Sequence, residues 1–444
     1  MKKSNFSKMA SAALMMTAAM AMTSCASSKK INGDSNASKS NDMGKNEEDL
    51  DNSYLVLSDS QREIIHKNNV FALRLFDKLS GHSSQVVSPM SVAYLMGMLA
   101  NGADGTTQQE ILKAIGCEGV NVDELNETYK AIIQTAGRLD KQTKVEIANF
   151  IAVNKSFSVN NAFSKKVGDN YQAAIESLDF TSGKTTDRIN GWCKEKTHGM
   201  IPQIISQVDP QAVSYLMNAI FFNGTWQSKF DARNTKEANF RGYTRDIQKV
   251  QMMHQVKKFF YSENDTFKAI DLPYGNGTYR MMVLLPNEGK SIQDMMKGLD
   301  AEKITNLGNN MEECMVNLKL PKFTIEQELS LNDIISGLGA PSMFNPNEAN
   351  FAHFANGPFF VSKMLQKAKI EVSERGTKAA AVTAAVMLTS MAPMEIRNVE
   401  FHADHPYDSG HTEWWYPLYG TILRNTLISW INYTKRNPLD LIEA

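Results

Sequence analysis

The chain is poor in cysteine, with four in 444 residues. Apart from Cys25 near the N-terminus there are Cys117, Cys193 and Cys314, an odd number at wide spacing. That spacing excludes a disulfide framework and a cysteine-based metal site, and leaves buried thiols. Net charge is also lacking: 47 Lys and Arg stand against 48 Asp and Glu, a formal charge of −1. No basic stripe is interleaved with aromatics and no zinc-finger spacing occurs, so nothing argues for nucleic acid or for attraction to a membrane surface. No internal repeat is evident. No nucleophile elbow, metal-binding helix motif or phosphate loop gathers the Ser, His and Asp residues into a site. The expectation is a chain with no catalytic residue, no metal and no cofactor.

The N-terminus has a pattern of its own. Met1-Lys-Lys3 and Lys8 precede an apolar stretch, Met9 to Met22, followed by Thr23-Ser-Cys-Ala26. That stretch is too short to cross a bilayer as a mature helix, and it predicts a bacterial export signal over 1–24. Small residues before Cys25 resemble a relaxed lipobox, which implies cleavage there and a lipid on the Cys25 thiol. A plain secretory signal with an incidental cysteine is the alternative. Residues 25–58 are expected to form the lipidated start and a flexible tether, because Ser27 to about Asp51 is almost wholly polar. The expected location is the outer membrane or cell surface, otherwise the periplasm or the medium, with the lipid as the only membrane contact.

The body mixes helices and strands. Ser60-x-x-Glu63 reads as a capping box, followed by Ile64, Ile65, Phe71, Leu75, Phe76 and Leu79 at helical spacing. Val86-Val-Ser-Pro-Met-Ser-Val92 opens a second, very apolar helix that closes at Asn101-Gly-Ala-Asp-Gly105, and Thr106 begins a third. Val145 to Val153 alternates in part. Ser214 to Phe222 is apolar on both faces, as a central strand would be. Phe267 to Tyr274, Gly275-Asn-Gly277 and Tyr279 to Leu285 read as a hairpin, and Met315 to Leu320 alternates cleanly. With no βαβ repeat, the pattern predicts an α+β domain with large, mostly antiparallel sheets.

One stretch fits neither a core helix nor a linker. Glu371 to Met387 begins charged and passes Gly376. From Ala379 to Ala385 it then carries only small or β-branched residues. No acidic residue lies between Glu374 and Glu395, and no basic one between Lys378 and Arg397. Alanine favours a helix. Against that, Gly376 and Thr377 interrupt its start, Thr383 and Val386 are stiff, and Pro393 disfavours helix before it. As a strand, the segment puts Thr377, Ala379, Ala381, Thr383 and Ala385 on one small-residue face. That face could enter a packed interior, with Lys378 on the solvent side.

Glu374-x-Gly376-Thr377-x-Ala379-Ala380-Ala381-x-Thr383 resembles the hinge of the serpin family. Further segments are similar to that family in the same order, from about residue 59 to 406. They are Asn69-Val-Phe-Ala-Leu-Arg-Leu-Phe76, Val87-Ser-Pro-Met-Ser91, Asn218-Ala-Ile-Phe-Phe-x-Gly-x-Trp226 with Phe230, Leu272-Pro-Tyr274, Leu284-Leu-Pro286, Leu320-Pro-Lys-Phe323 and Phe401-x-Ala-Asp-His-Pro406. The resemblance implies a serpin domain over 59–406 with three β-sheets, about nine helices and an exposed reactive-centre loop, 374–397. It implies a monomer whose partner is a target protease, which cleaves the loop and is trapped when the loop enters the main sheet. By resemblance Ser88, Ser91, Asn218, Trp226 and Gln366 lie where the sheet opens. The family often has histidine where this chain has Gln366, and glutamine too can donate and accept.

The family's hinge length places the scissile bond at Ser390-Met391, with Thr389 and Leu388 as alternatives. The surrounding residues suit elastase-like or subtilisin-like serine proteases, then papain-like cysteine proteases, and not trypsin-like ones. After Pro406 the chain departs from the family. Residues 407–444 read as a divergent segment, through a shifted frame or a replaced end that would cost the core a hairpin. Divergent strands at Thr421 to Leu423 and Leu427 to Trp430 are the other reading. A non-inhibitory or inactive serpin acting as a binding protein is the alternative function.

Overall fold

The computed structural model describes residues 57–79, 85–241, 247–290, 292–377, 396–404, 416–421 and 426–432. In chain order its helices are α1 (Asp59–Lys78), α2 (Pro89–Gly102), α3 (Gly105–Ala114), α4 (Val122–Ala136), α5 (Asn161–Tyr171), α6 (Gly183–Lys196), α7 (Ile292–Lys297), α8 (Ala301–Asn309) and α9 (Asn332–Leu338). The first strands are β1 (Gln85–Val87), β2 (Thr143–Asn154), β3 (Ala174–Leu178), β4 (Ser214–Thr225), β5 (Lys236–Arg241), β6 (Ile247–Glu263), β7 (Phe267–Pro273) and β8 (Tyr279–Pro286). They are followed by β9 (Glu312–Pro321), β10 (Phe323–Ser330), β11 (Lys363–Ser373), β12 (Gly376–Thr377), β13 (Asn398–His402), β14 (Tyr416–Thr421) and β15 (Thr426–Asn432). The architecture is α+β.

The first helix starts two residues before the expected box. Ser58, not Ser60, is the cap: its Oγ accepts from the Gln61 amide at 3.2 Å, and Gln61 Oε1 accepts from the Ser58 amide at 3.0 Å. Ser60 already lies inside the helix. The reciprocal bonding is that of a capping box in which glutamine does the work expected of glutamate. The apolar residues at helical spacing in α1 are buried as expected.

Among the described residues the strands form two sheets. The main sheet has six strands in the order β10-β11-β12-β4-β2-β3. The second has nine, running β1-β15-β14-β8-β7-β6-β9-β13 with β5 beside β6. The expected second and third sheets meet as one ladder because β6, 17 residues long, runs unbroken through both. The C-terminal hairpin lies in this ladder, β14 against β8 and β15 against β1. Its strands fall at Tyr416–Thr421 and Thr426–Asn432, so the first is several residues earlier than the sequence suggested.

Between the sheets runs α2. All of its residues except Asn101 are buried, which explains why it shows no polar face. It packs on β2 and β4 on one side and β15 on the other. On the opposite face of the main sheet, α6 lays Ile189, Trp192 and Cys193 over Phe150, Tyr215 and Met217, with the Phe150 and Trp192 rings 4.9 Å apart. Both faces of β4 are thus covered, and a strand apolar on both faces follows. Burial pushes the Cys117 thiol up to about 11 and the Cys193 thiol up to about 12, so neither is a nucleophile at neutral pH.

Close packing of α2 depends on Gly97. A Cβ there would lie 2.7 Å from Tyr171 Oη and 2.8 Å from Tyr129 Cε2. Gly97→Ala should therefore destabilise the chain by about 1–3 kcal/mol, the usual cost of overpacking. Urea unfolding measures it, and an unchanged midpoint would show that α2 has slack.

Candidate functional site

The main sheet is held together unevenly. β11 and β4 run parallel and pair directly from Lys363–Tyr215 to Lys367–Ala219. Beyond that they part. Residues 368–371 of β11 pair only with β10, and residues 220–223 of β4 pair only with β2. At the far end the two-residue strand β12 sits between them, antiparallel to both: Thr377 pairs with Val372 and Gly224, and Gly376 with Ser373 and Thr225.

A row of buried polar side chains crosses the paired end. Gln366 on β11 is beside Asn218 on β4, and Asn218 is opposite Asn149 on β2. The row meets the N-terminus of α2. Gln366 Oε1 accepts from the Ser88 amide at 2.8 Å, and its Nε2 donates to the Ser88 carbonyl at 2.9 Å. Ser88 is the N-cap of α2, and its hydroxyl lies 2.9 Å from that of Ser91. Asn218 Nδ2 donates to Asn149 Oδ1 at 2.8 Å, and Asn149 Nδ2 donates to the Tyr171 carbonyl at 3.2 Å. The buried Asn218 Oδ1 has no partner among the described residues, a cost of about 1–3 kcal/mol.

The other end holds Glu374, Gly376, Thr377 and Trp226. Gly376 has φ 143°, a conformation open to glycine and not to residues with a Cβ. A Cβ on it would also run into the Gly224 carbonyl oxygen. Thr377 is 1% exposed, and its hydroxyl is 2.7 Å from that of Tyr274. Trp226 stacks on Tyr274 with ring centroids 4.2 Å apart, and its indole donates to the Ser373 carbonyl at 2.9 Å. The Trp226 amide donates to the Arg375 carbonyl and the Phe230 amide to the Glu374 carbonyl, each at 3.0 Å. The Glu374 carboxylate meets Lys322 Nζ at 3.0 Å and accepts from the Thr235 hydroxyl at 2.9 Å. Burial alone would raise the Glu374 carboxyl. The bonds from its own amide, Lys322 and Thr235 outweigh that and hold it below the usual carboxylate value.

The structure therefore brings the expected residues together at two places. Ser88, Ser91, Asn218 and Gln366 lie at the closed end of the gap between β11 and β4. Trp226, Glu374, Gly376 and Thr377 lie at its mouth. Cys25, Ala379, Ala380, Ala381, Thr383, Leu388, Thr389, Ser390 and Met391 lie outside the described residues. Asn149, Tyr274, Lys322, Thr235 and Gly224 belong to these constellations and were not picked out from the sequence as site residues. Leu272-Pro-Tyr274 and the glycine inside Asn218 to Trp226 were visible as motifs. Lys322 was likewise inside the motif Leu320-Pro-Lys-Phe323, without a role assigned to it, and nothing local marks Thr235, whose partner Glu374 is far away in the chain.

The main sheet thus parts between two central strands, with a short glycine-pivoted strand between them at the mouth of the gap. The family profile described as Serpin (serine protease inhibitor) matches residues 66–408, and the chain belongs to that family. It is 31% identical over 356 residues to leukocyte elastase inhibitor A of Rattus norvegicus, covering 77% of this chain and 93% of that one. It is 29% identical over 332 residues to neuroserpin of Homo sapiens, covering 72% and 80%. Among solved structures, the thermophilic serpin tengpin in its native state superposes with a TM-score of 0.76 at 26% identity, covering 86% of this chain and 95% of tengpin.

The depressed Glu374 carboxyl predicts a pH dependence. A carboxylate held below its unfolded value stabilises the fold above the ordinary carboxylate range, and the effect is lost as pH falls through the folded value. Glu374→Gln should lower stability by about 1 kcal/mol at pH 7, the size of a partly exposed charged hydrogen bond. The difference from the unsubstituted chain should vanish in acid. Thermal unfolding from pH 7 to 3 reads this, and an equal deficit at every pH would remove Glu374 ionisation from the account.

Proposed function

We propose that the chain inhibits an endopeptidase as a suicide substrate. The protease nucleophile attacks the carbonyl of Ser390, or of Thr389 or Leu388. The peptide bond to the next residue breaks, its nitrogen leaves as the protonated amine, and the acyl group stays on the protease. The freed segment after Thr377 then continues β12 down the gap and carries the acylated protease with it.

The observation that carries this reading is the geometry of β11, β12 and β4. Gly376 and Thr377 already occupy the first two positions of an added strand. The backbone groups of residues 220–223 and 368–371 that face the gap could be paired by its continuation. Full insertion exchanges one parallel contact for two antiparallel ladders, the slightly stronger pairing. It also requires the Gln366–Ser88 bonds and the Asn218 contacts to yield, which sets a barrier and stores the energy kinetically. The small residues from Ala379 to Ala385 suit passage between packed faces.

The target is a protease with a small or hydrophobic primary pocket, of the elastase or subtilisin type, with papain-like enzymes next. A curated relative carries the name leukocyte elastase inhibitor A, which agrees with that preference. The leader pattern before Cys25 supports an exported, lipid-anchored inhibitor on a bacterial envelope, acting as a monomer.

Incubating the chain with elastase, subtilisin, papain and trypsin tests the reading. The first two should give a complex that survives SDS, and trypsin should not. Cleavage without a complex would favour the binding-protein alternative. The loop-nicked chain should melt at least about 10 °C above the intact one, because a new central strand is paired on both sides. An equal melting temperature would sink the insertion mechanism. Thr377→Asp puts a charge at a position 1% exposed and should leave loop cleavage intact while abolishing most complex formation.

A further inference from the structure

The turn between β7 and β8, Gly275-Asn-Gly277, reads in the sequence as an ordinary hairpin turn. In the structure it is bolted to residues 137–142, which join α4 to β2. Asp140, 3% exposed, is the centre of that joint. Its Oδ1 accepts from the Gln142 amide at 2.9 Å, and its Oδ2 accepts from the Thr143 hydroxyl at 2.6 Å and from the Asn276 amide at 3.3 Å. Asn276 Nδ2 donates in return to the Leu139 carbonyl at 3.0 Å, and the Tyr279 hydroxyl donates to the Ala136 carbonyl. Gly275 has φ 46°, and a Cβ on it would run into the Asp140 carboxylate. Glycine is favoured there by the backbone and demanded by the approach of Asp140.

Two routes lead from Asp140 to the mouth of the gap. The first is the turn itself. The Gly275 amide donates to the Thr225 carbonyl at 2.8 Å, and the preceding residue, Tyr274, bridges to Trp226 and places its hydroxyl on that of Thr377. The second is β2. Its first residue, Thr143, pairs with Gly224, and Gly224 pairs with Thr377. The routes meet, because a Cβ on Gly224 would lie 2.8 Å from the Tyr274 ring. Hydrogen bonds at a buried group such as Asp140 are stronger than the same bonds in water, so the joint is stiff.

We propose that Asp140 is a positioning residue for strand insertion. It fixes the β7–β8 turn and the start of β2 against each other, and so keeps Tyr274 and Gly224 where Thr377 needs them to register the added strand. This rests on the inhibitory reading above. After acylation, insertion races hydrolysis of the acyl link to the protease. A mouth that loses its register lengthens insertion and gives water more time to release the enzyme. Loop cleavage precedes that race and does not draw on the joint. Loss of the joint therefore turns more molecules into plain substrate at an unchanged rate of acylation.

The test uses the full chain with elastase or subtilisin, and reads the inhibitor molecules consumed per protease separately from the rate of loop cleavage. Asp140→Ala should raise consumption by about 3- to 10-fold, the scale of one net hydrogen bond acting on the race, with the cleavage rate unchanged. Gly275→Ala, which displaces Asp140, should do the same. Asp140→Ala/Gly275→Ala should be no worse than either alone, because both break one joint. Thr143→Val removes a single bond to Asp140, should give a smaller rise, and decides the matter if Asp140→Ala does not fold. Gly97→Ala, destabilised through Tyr129 and Tyr171, should leave consumption unchanged. Consumption within twofold of the unsubstituted chain for Asp140→Ala, or for Thr143→Val should Asp140→Ala not fold, would overturn the proposal and leave the inhibitory reading standing. So would additive effects of Asp140→Ala and Gly275→Ala, or an equal rise in Gly97→Ala. Failure of the unsubstituted chain to form any complex would instead overturn the inhibitory reading, and this role of Asp140 with it.

Discussion

β11 and β4 touch directly only from Lys363–Tyr215 to Lys367–Ala219, and there they run parallel. On their outer edges each pairs antiparallel over most of its length, β11 with β10 and β4 with β2. The join between them is therefore weaker than the two antiparallel joins that flank it. On the β4 side of this join, α2 packs on one face of the sheet and α6 on the other. A strand added there must be small on the side facing α2, must turn through a glycine at the mouth, and must find polar side chains at the closed end that can exchange partners. The hinge composition, Gly376 and the Gln366–Asn218–Asn149 row answer those three needs in turn.

The polar row costs stability as it stands. A buried amide oxygen on Asn218 without a partner is unfavourable in a core that could have been apolar. Gln366 holds both the amide and the carbonyl of Ser88, in the manner of one rung of a β-ladder made by a side chain. Such a bond fixes α2 against β11 while the gap is closed, and it can be remade with other partners when the strands separate. An apolar substitute would pack better and could not do so. On the proposed mechanism, the row is retained because it is reversible.

Much of this was legible in the sequence because it depends on local chemistry. Residues apolar on both faces of Ser214 to Phe222 predicted a covered central strand, and β4 is one. Small residues after Gly376 predicted a segment able to enter a sheet; of that segment only Gly376 and Thr377 lie among the described residues, and both pair in the main sheet. The sequence could not show that Gly376 and Thr377 already sit between β11 and β4, since that depends on Gly224, Tyr274 and Trp226 approaching from elsewhere in the chain. The roles of Lys322, which the sequence showed only as part of a motif, and of Thr235 were hidden for the same reason, each being defined by its distance to Glu374. The displaced cap of α1 failed for a different reason: Ser58 and Ser60 both precede a suitable partner three residues on, and composition does not choose between them.

The C-terminal hairpin shows how a fold can demand an element that its sequence serves poorly. Without β14, β8 would present an unpaired edge in the middle of the nine-stranded order, and without β15, α2 would lose its support on that side. The family match ends at residue 408, yet both strands are present beyond it. Ladder bonds come from the main chain, so a changed sequence can still pair if it can be extended. The fit carries two defects. Pro417, opposite Val283 in a strand flanked by β8 and β15, has no amide to donate. The register of β14 against β15 also shifts between Tyr419 and Gly420. On the proposed mechanism, energy stored in the main sheet is held against the second sheet as a rigid body. On that mechanism, weak rungs at β14 would lower the unfolding barrier without touching the gap itself. Any loss of inhibitory function caused by the divergent end would then arise from a less durable native state, not from a defective hinge.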